Sequence, residues 1–239
     1  MSKFLILLCC FFISACEERA GLAPVYDARD NMKSSMPLTY RVQRYETLYA
    51  IAFRYDQDYR TLASLNGLYP PYALQAGQVI YLKLPPVQVP KPIYHALPRV
   101  SRPMTPITPA VIKSFHFRWP TTQRRILASF SPERGRKGFD ILGHSGAKIY
   151  ASYDGVVAYA GDGLSGYGHM IIIKHNDKFL TAYAHNKRNL VREGQKVYTG
   201  QVIAEMGMLD RQHFGVHYEI RQWGKPVNPS RFLSTYEKH

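Results

Sequence analysis

Hydrophobic residues follow different rhythms along the chain. Between Thr39 and Lys83 the rhythm changes twice. Tyr40-Arg41-Val42 alternates like a short strand, and Val79-Ile80-Tyr81-Leu82 reads as a second strand behind the turn at Gln75 to Gln78. Between them Leu48, Ile51, Ala52 and Tyr55 recur at helical spacing after Glu46-Thr47, a pair suited to capping a helix. Tyr59, Leu62, Ala63 and Asn66 predict a second helix, with Gly67 as its stop. The expected order is βααβ.

From Phe115 onward the helical period disappears. "AKIYASYDGVVAYAG", "GHMIIIKHND", "KFLTAYAHN", "QKVYTGQVIAEMG" and "GVHYEIRQWGKPVNP" are β-rich runs broken by Gly, Asp and Asn. Asp154-Gly155 and Asn176-Asp177 stand at hairpin-like places. The fold class expected is a small α+β module followed by a mainly antiparallel β domain, as a sandwich or a sheet.

Two stretches follow neither rhythm. Residues 84–112 hold eight prolines and no glycine, so the segment favours polyproline II and acts as a semi-rigid spacer of roughly 80–90 Å if fully extended. At the other end, "MSKFLILLCCFFISAC" carries Lys3 and then an apolar run from Phe4 to Ile13, too short for a spanning helix and right for a secretory signal. The expected division is 1–16 signal, 17–38 flexible tether, 39–83 small domain, 84–112 linker and 113–239 large domain.

Composition narrows the partners. With 31 Lys+Arg against 17 Asp+Glu the net charge is +14, a field that suits a polyanion or an acidic protein surface. No nucleic-acid-binding motif accompanies the charge, and nucleic acid is not expected as a partner. Of three cysteines, Cys9 and Cys10 lie inside the signal, leaving Cys16 alone and excluding a disulfide framework.

Ile13-Ser14-Ala15-Cys16 resembles the bacterial lipobox, which implies lipidation of Cys16 as the first mature residue. Glu17 then resembles the sorting pattern for the outer membrane, with the chain on its periplasmic face. The 39–83 segment resembles the LysM domain through Val42, Thr47-Leu48, Ile51-Ala52, Tyr55, Leu62, Asn66, Leu68 and Gly77-Gln78, departing at Tyr45-Glu46 where that family has Gly-Asp. LysM domains bind N-acetylglucosamine-containing glycans, chiefly peptidoglycan in bacteria. The implied sugar groove lies between Tyr45, Glu46, Thr47 and Leu48 on one side and Leu68, Tyr69, Tyr72 and Leu74 on the other.

The large domain resembles the LytM, or lysostaphin-type, zinc metallopeptidases from about Trp119 to Leu233. The resemblance rests on "KGFDI", "DGVVAYAGDGLSGYGHMIIIKH", "TAYAHN", "VREGQKVYTGQVIAEMG" and "VHYEIRQWGKPVNP". Its flow is most similar to the NlpD-type lipoprotein branch, whose members activate septal murein amidases. An active member takes zinc ligands from His-x-x-x-Asp and from the second His of His-x-His, with two further histidines assisting the water. Carried over by position, Asp140 and His217 match ligands, but Arg136 replaces the ligand histidine. His185 matches one assisting histidine and Gly215 replaces the other.

A guanidinium stays charged at any working pH, so Arg136 opposes a metal and is expected to pair with Asp140 instead. His213 stands four strand residues, roughly 13 Å, from His217, and His144 the same distance from Asp140, too far to substitute, while His169 in "GYGHM" occupies a place where relatives often carry Asn. No metal, cofactor or catalytic residue is therefore expected, and Arg136, Asp140, His185, Gly215 and His217 are remnants. The resemblance implies that Arg134, Arg136, Lys137, Asp140, His185 and His217 form a groove for a periplasmic N-acetylmuramoyl-L-alanine amidase at the division septum. The alternatives are an active zinc endopeptidase completed by His213 or His144, and a passive cell-wall tether.

Overall fold

A computed structural model describes residues 36–84 and 115–234. Cys16, the tether up to residue 35 and the Pro-rich stretch from residue 85 to 112 lie outside the described residues. Among the described residues no helix is long and apolar enough to cross a membrane.

The small domain has the expected order. β1 (Thr39–Arg41) pairs antiparallel with β2 (Val79–Tyr81), and between them run α1 (Leu48–Arg54) and α2 (Tyr59–Leu65). Thr47 caps α1 by accepting a hydrogen bond from the Ala50 amide, and Asp58 caps α2 through the Arg60 amide. Asn66, at the carboxyl end of α2, ties it to β2: its Oδ1 accepts from the Tyr81 amide and its Nδ2 donates to the Tyr81 carbonyl. Val42, Leu48, Ile51, Leu62, Ile80 and Leu82 form the core, all nearly inaccessible.

The large domain is one sheet rather than a sandwich. Its strands are β3 (Ile126–Ala128), β4 (Phe139–Leu142), β5 (Lys148–Tyr150), β6 (Gly155–Gly161), β7 (His169–Lys174), β8 (Phe179–Asn189), β9 (Lys196–Val197), β10 (Val202–Met208), β11 (Phe214–Gln222) and β12 (Lys225–Val227). All named pairings are antiparallel, and β11 is central, pairing with β4, β8, β10 and β12. In β11 and β4 the register places His217 opposite Asp140, and in β11 and β8 opposite Ala184.

β7 and β8 are apolar on both faces, so both faces must be covered. Ile171, Ile173, Phe179 and Tyr183 join the main core beneath the sheet. Met170, Ile172, Leu180, Ala182 and Ala184 pack in a separate cluster with Ala50 and Phe53 of α1. The cover of that second face is thus supplied by the small domain.

Candidate functional site: a carboxylate-clamped histidine beneath the small domain

Asp140 and His217 meet because adjacent strands set them in register. His217 Nδ1 lies 2.6 Å from Asp140 Oδ1, and its Nε2 lies 3.0 Å from Glu219 Oε1. A carboxylate has no proton to offer at neutral pH, so the imidazole donates from both nitrogens and is a cation. Burial alone would lower its pKa; the hydrogen bonds to Asp140 and Glu219 overcome this and raise it to about 9.

The network continues into the small domain. Glu219 is fully buried; burial would raise its carboxyl, but Arg221 and His217 pull it down to about 2. Its Oε1 also accepts from the Tyr167 hydroxyl at 3.0 Å, and its Oε2 from Arg221 Nε at 2.6 Å. Arg221 is itself inaccessible, and its Nη1 donates to Asp56 of the small domain. Lys137 reaches the same carboxylate at 2.8 Å. The Phe53 ring lies 3.9 Å from the Arg221 guanidinium carbon and edge-on to Tyr167.

The expected pair between Arg136 and Asp140 does not form. His217 holds Asp140 instead, because strand register delivers the imidazole to the carboxylate while Arg136 stands before β4 opens; its Nε is buried without a partner. Arg134 is exposed, and Lys137 is engaged by Asp56.

His185 sits at φ 61°, a left-handed conformation rare outside glycine, at an irregular part of β8 where the registers with β7 and β10 both shift. Its amide donates to the Tyr167 carbonyl. Burial first, then the His217 cation, lower its pKa, so its ring is neutral. The His185 and His217 ring centres are 6.3 Å apart.

The residues present do not fit a zinc ion. Arg136 brings a guanidinium, which has no lone pair and stays charged, so only Asp140 and His217 are left as candidate donors, too few for a catalytic zinc. At Gly215 a Cβ would run into the Ile141 carbonyl and the Leu209 side chain, so no histidine fits there. His213 is held by Asp210 at 2.9 Å, His144 contacts the Ser145 carbonyl, and His169 faces Asp162 at 3.9 Å. Among the described residues no three His, Cys, Asp or Glu side chains converge as a metal site.

The groove suggested for sugar is only partly on the surface. Tyr45 and Tyr69 are 86% and 82% exposed. Tyr45 has φ 64°, the conformation for which glycine is the usual residue. Leu48 is in the core, and Leu68, Tyr72 and Leu74 pack against it. The Glu46 carboxylate is consumed inside the domain by the Tyr40 hydroxyl, the Gln43 amide and Arg54. Thr47 Oγ1 donates to the Ala158 carbonyl of the large domain. A cavity of about 230 Å³ opens beside α2 between Arg60, Ser64, Gly67, Tyr69 and Tyr72.

Sequence reasoning missed Asp56, Tyr167, Glu219 and Arg221. One signal was available: α1 reads LYAIAFR, apolar on both faces, and such a helix needs a second cover.

Two family models match the chain: "LysM domain" over residues 40–83 and "Peptidase family M23" over residues 134–229. A lipoprotein NlpD/LppB homolog of Pseudomonas aeruginosa is 37% identical over 250 residues, covering 90% of this chain and 82% of its own length. The murein hydrolase activator NlpD of Escherichia coli is 34% identical over 255 residues, covering 82% of this chain and 67% of its own. A solved zinc-containing peptidase from Vibrio cholerae is 30% identical, with a TM-score of 0.45 over 49% of this chain and 39% of that one.

Proposed function

Because the chain belongs to the NlpD/LppB lipoprotein family, with a LysM and an M23 peptidase domain, we propose that it activates a periplasmic N-acetylmuramoyl-L-alanine amidase without being an enzyme itself. The observation that carries this reading is the incomplete ligand set. Arg136 and Gly215 stand where an active member carries histidines, and neither a guanidinium nor a glycine can bind zinc or activate water. What survives around Asp140 and His217 is a charged network on the sheet, suited to recognition rather than to chemistry. An activator of this kind binds the open form of its amidase more tightly than the closed form and shifts the population.

The LysM domain holds the protein on peptidoglycan, with Tyr45, Tyr69 and the cavity beside α2 as its sugar-facing side. A lipid on Cys16 anchors the chain to the periplasmic face of the outer membrane, and the amidase is switched on at the division septum, where daughter cells separate.

Dye release from labelled peptidoglycan sacculi tests the reading. The protein alone releases nothing, with or without zinc, and releases dye when the host's periplasmic amidase is added. Zinc-dependent release by the protein alone overturns it in favour of an endopeptidase. No release with any periplasmic amidase of the host leaves a passive tether.

A further inference from the structure

The groove is not free: part of it is covered by α1. Phe53 lies on Arg221 and Tyr167, and Asp56 sits between Arg221 and Lys137, one turn further along the chain. Around this anchor Thr47 bonds the Ala158 carbonyl, Arg54 the Gly163 carbonyl at 3.1 Å, and Tyr59 the Asp177 carboxylate at 3.2 Å. At Gly224 the two backbones approach so closely that a Cβ would run into the Gln57 carbonyl. Tyr167 is also 6.0 Å from the His217 ring, so the covered surface adjoins the remnant site.

We infer that α1 is a built-in competitor for this surface, and that the partner which docks there displaces it by presenting the same chemistry. That chemistry is an aromatic ring for Arg221 and Tyr167, and a carboxylate for Arg221 and Lys137. Two features of the covered surface demand a replacement rather than simple departure. Arg221 gives up one of its two carboxylates when α1 leaves and keeps only Glu219, so its Nη1 favours a replacement carboxylate. Met170, Ile172, Leu180 and Ala182 form an apolar face that would meet water. A partner with a short amphipathic segment, aromatic on its apolar side and acidic at its end, restores both.

The sugar-facing side stays outside this contact. Tyr45 and Tyr69 are exposed while α1 is docked, so the LysM domain reaches glycan with the groove still covered. Attachment to the wall and unmasking of the groove are therefore separate events.

The identity of the partner as an amidase rests on the function proposed above; the cover itself does not. Full-length protein is compared with Asp56→Asn, Ala50→Arg and Lys137→Ala. Asn tolerates the left-handed backbone at residue 56 (φ 52°) and removes the charge. Ala50 is buried in the junction cluster and lies outside the small domain's own core, so Arg there blocks docking without disturbing that core.

Small-angle scattering reads opening, and the protein concentration for half-maximal dye release by the amidase reads unmasking. Both variants extend the particle; Asp56→Asn lowers that concentration about tenfold, the factor expected for a lost charge-assisted hydrogen bond, and Ala50→Arg lowers it by blocking the docked position. Lys137→Ala extends the particle without lowering the concentration, because the incoming carboxylate needs the same ammonium.

The inference is overturned if Asp56→Asn and Ala50→Arg both stay as compact as the parent, or if they open and activate at the parent's concentration. A parent that activates in either case leaves the proposed function standing. Variants that open while neither they nor the parent activate the amidase refute the proposed function and retain the cover.

Discussion

Two histidines of the large domain, one just after β7 and one on β11, have gone opposite ways. His175 follows β7 with Nδ1 on the Asp154 carbonyl and Nε2 on the Thr181 hydroxyl; its partners are neutral, and burial lowers its pKa to about 4. His217 on β11 is flanked by carboxylates, which outweigh burial and hold it charged to about 9. The same ring in the same domain is thus a neutral hydrogen-bonding wedge in one place and, up to about pH 9, a cation in the other. The difference teaches that a histidine at a metal-ligand position is not by itself a ligand. Its neighbours decide its charge, and here Asp140 and Glu219 together hold the proton on the ring.

The largest expected effect comes from breaking the charged side of this comparison. Arg221→Ala leaves Glu219 and Asp56 without their shared cation and costs about 3–5 kcal/mol, read from the urea midpoint of unfolding. Gly215→His attempts to restore a second imidazole beside His217. It overpacks the β4–β11 contact by about 3 kcal/mol and gains no zinc in a metal-binding titration.

Acid titration sharpens the neutral side. The folded pKa of His175 is below its unfolded value, so its contribution is complete above pH 6.5 and is lost as pH falls towards 4. The loss amounts to about 2 kcal/mol, discounted for the part of the ring that meets solvent, and is absent in His175→Gln. Over the same range the expected NMR outcome is a His217 ring that stays charged throughout. The smallest effect belongs to Lys148→Ala. Glu205 also sits between two cations, Lys148 at 2.6 Å and Arg188 at 2.8 Å, but those partners are half exposed, and the urea midpoint stays where it was.

The sequence made the elements of both domains legible, because each has a clean period. Thr47 as a cap, Gly67 at φ 62° and the long β run all follow from local chemistry. The fate of the remnant site was only half legible. Arg136 and Gly215 were visible as departures, yet the partner of Asp140 depended on strand register, which local pattern does not supply. The contact of α1 with the sheet was hidden for another reason. Leu48, Ile51 and Ala52 satisfied the helix's own core, so Ala50 and Phe53 passed as incidental apolar residues. The apolar run His169–Lys174 on β7 carried the complementary message, a sheet face awaiting a cover from elsewhere in the chain.

The central position of β11 has a consequence for the order in which the molecule comes apart. A strand paired with β4, β8, β10 and β12 loses its hydrogen bonds only with the sheet as a whole. The small domain, by contrast, rests on two strands of three residues each and two helices of seven. On warming, the cover melts first, and the surface beneath it keeps its shape until the whole large domain unfolds.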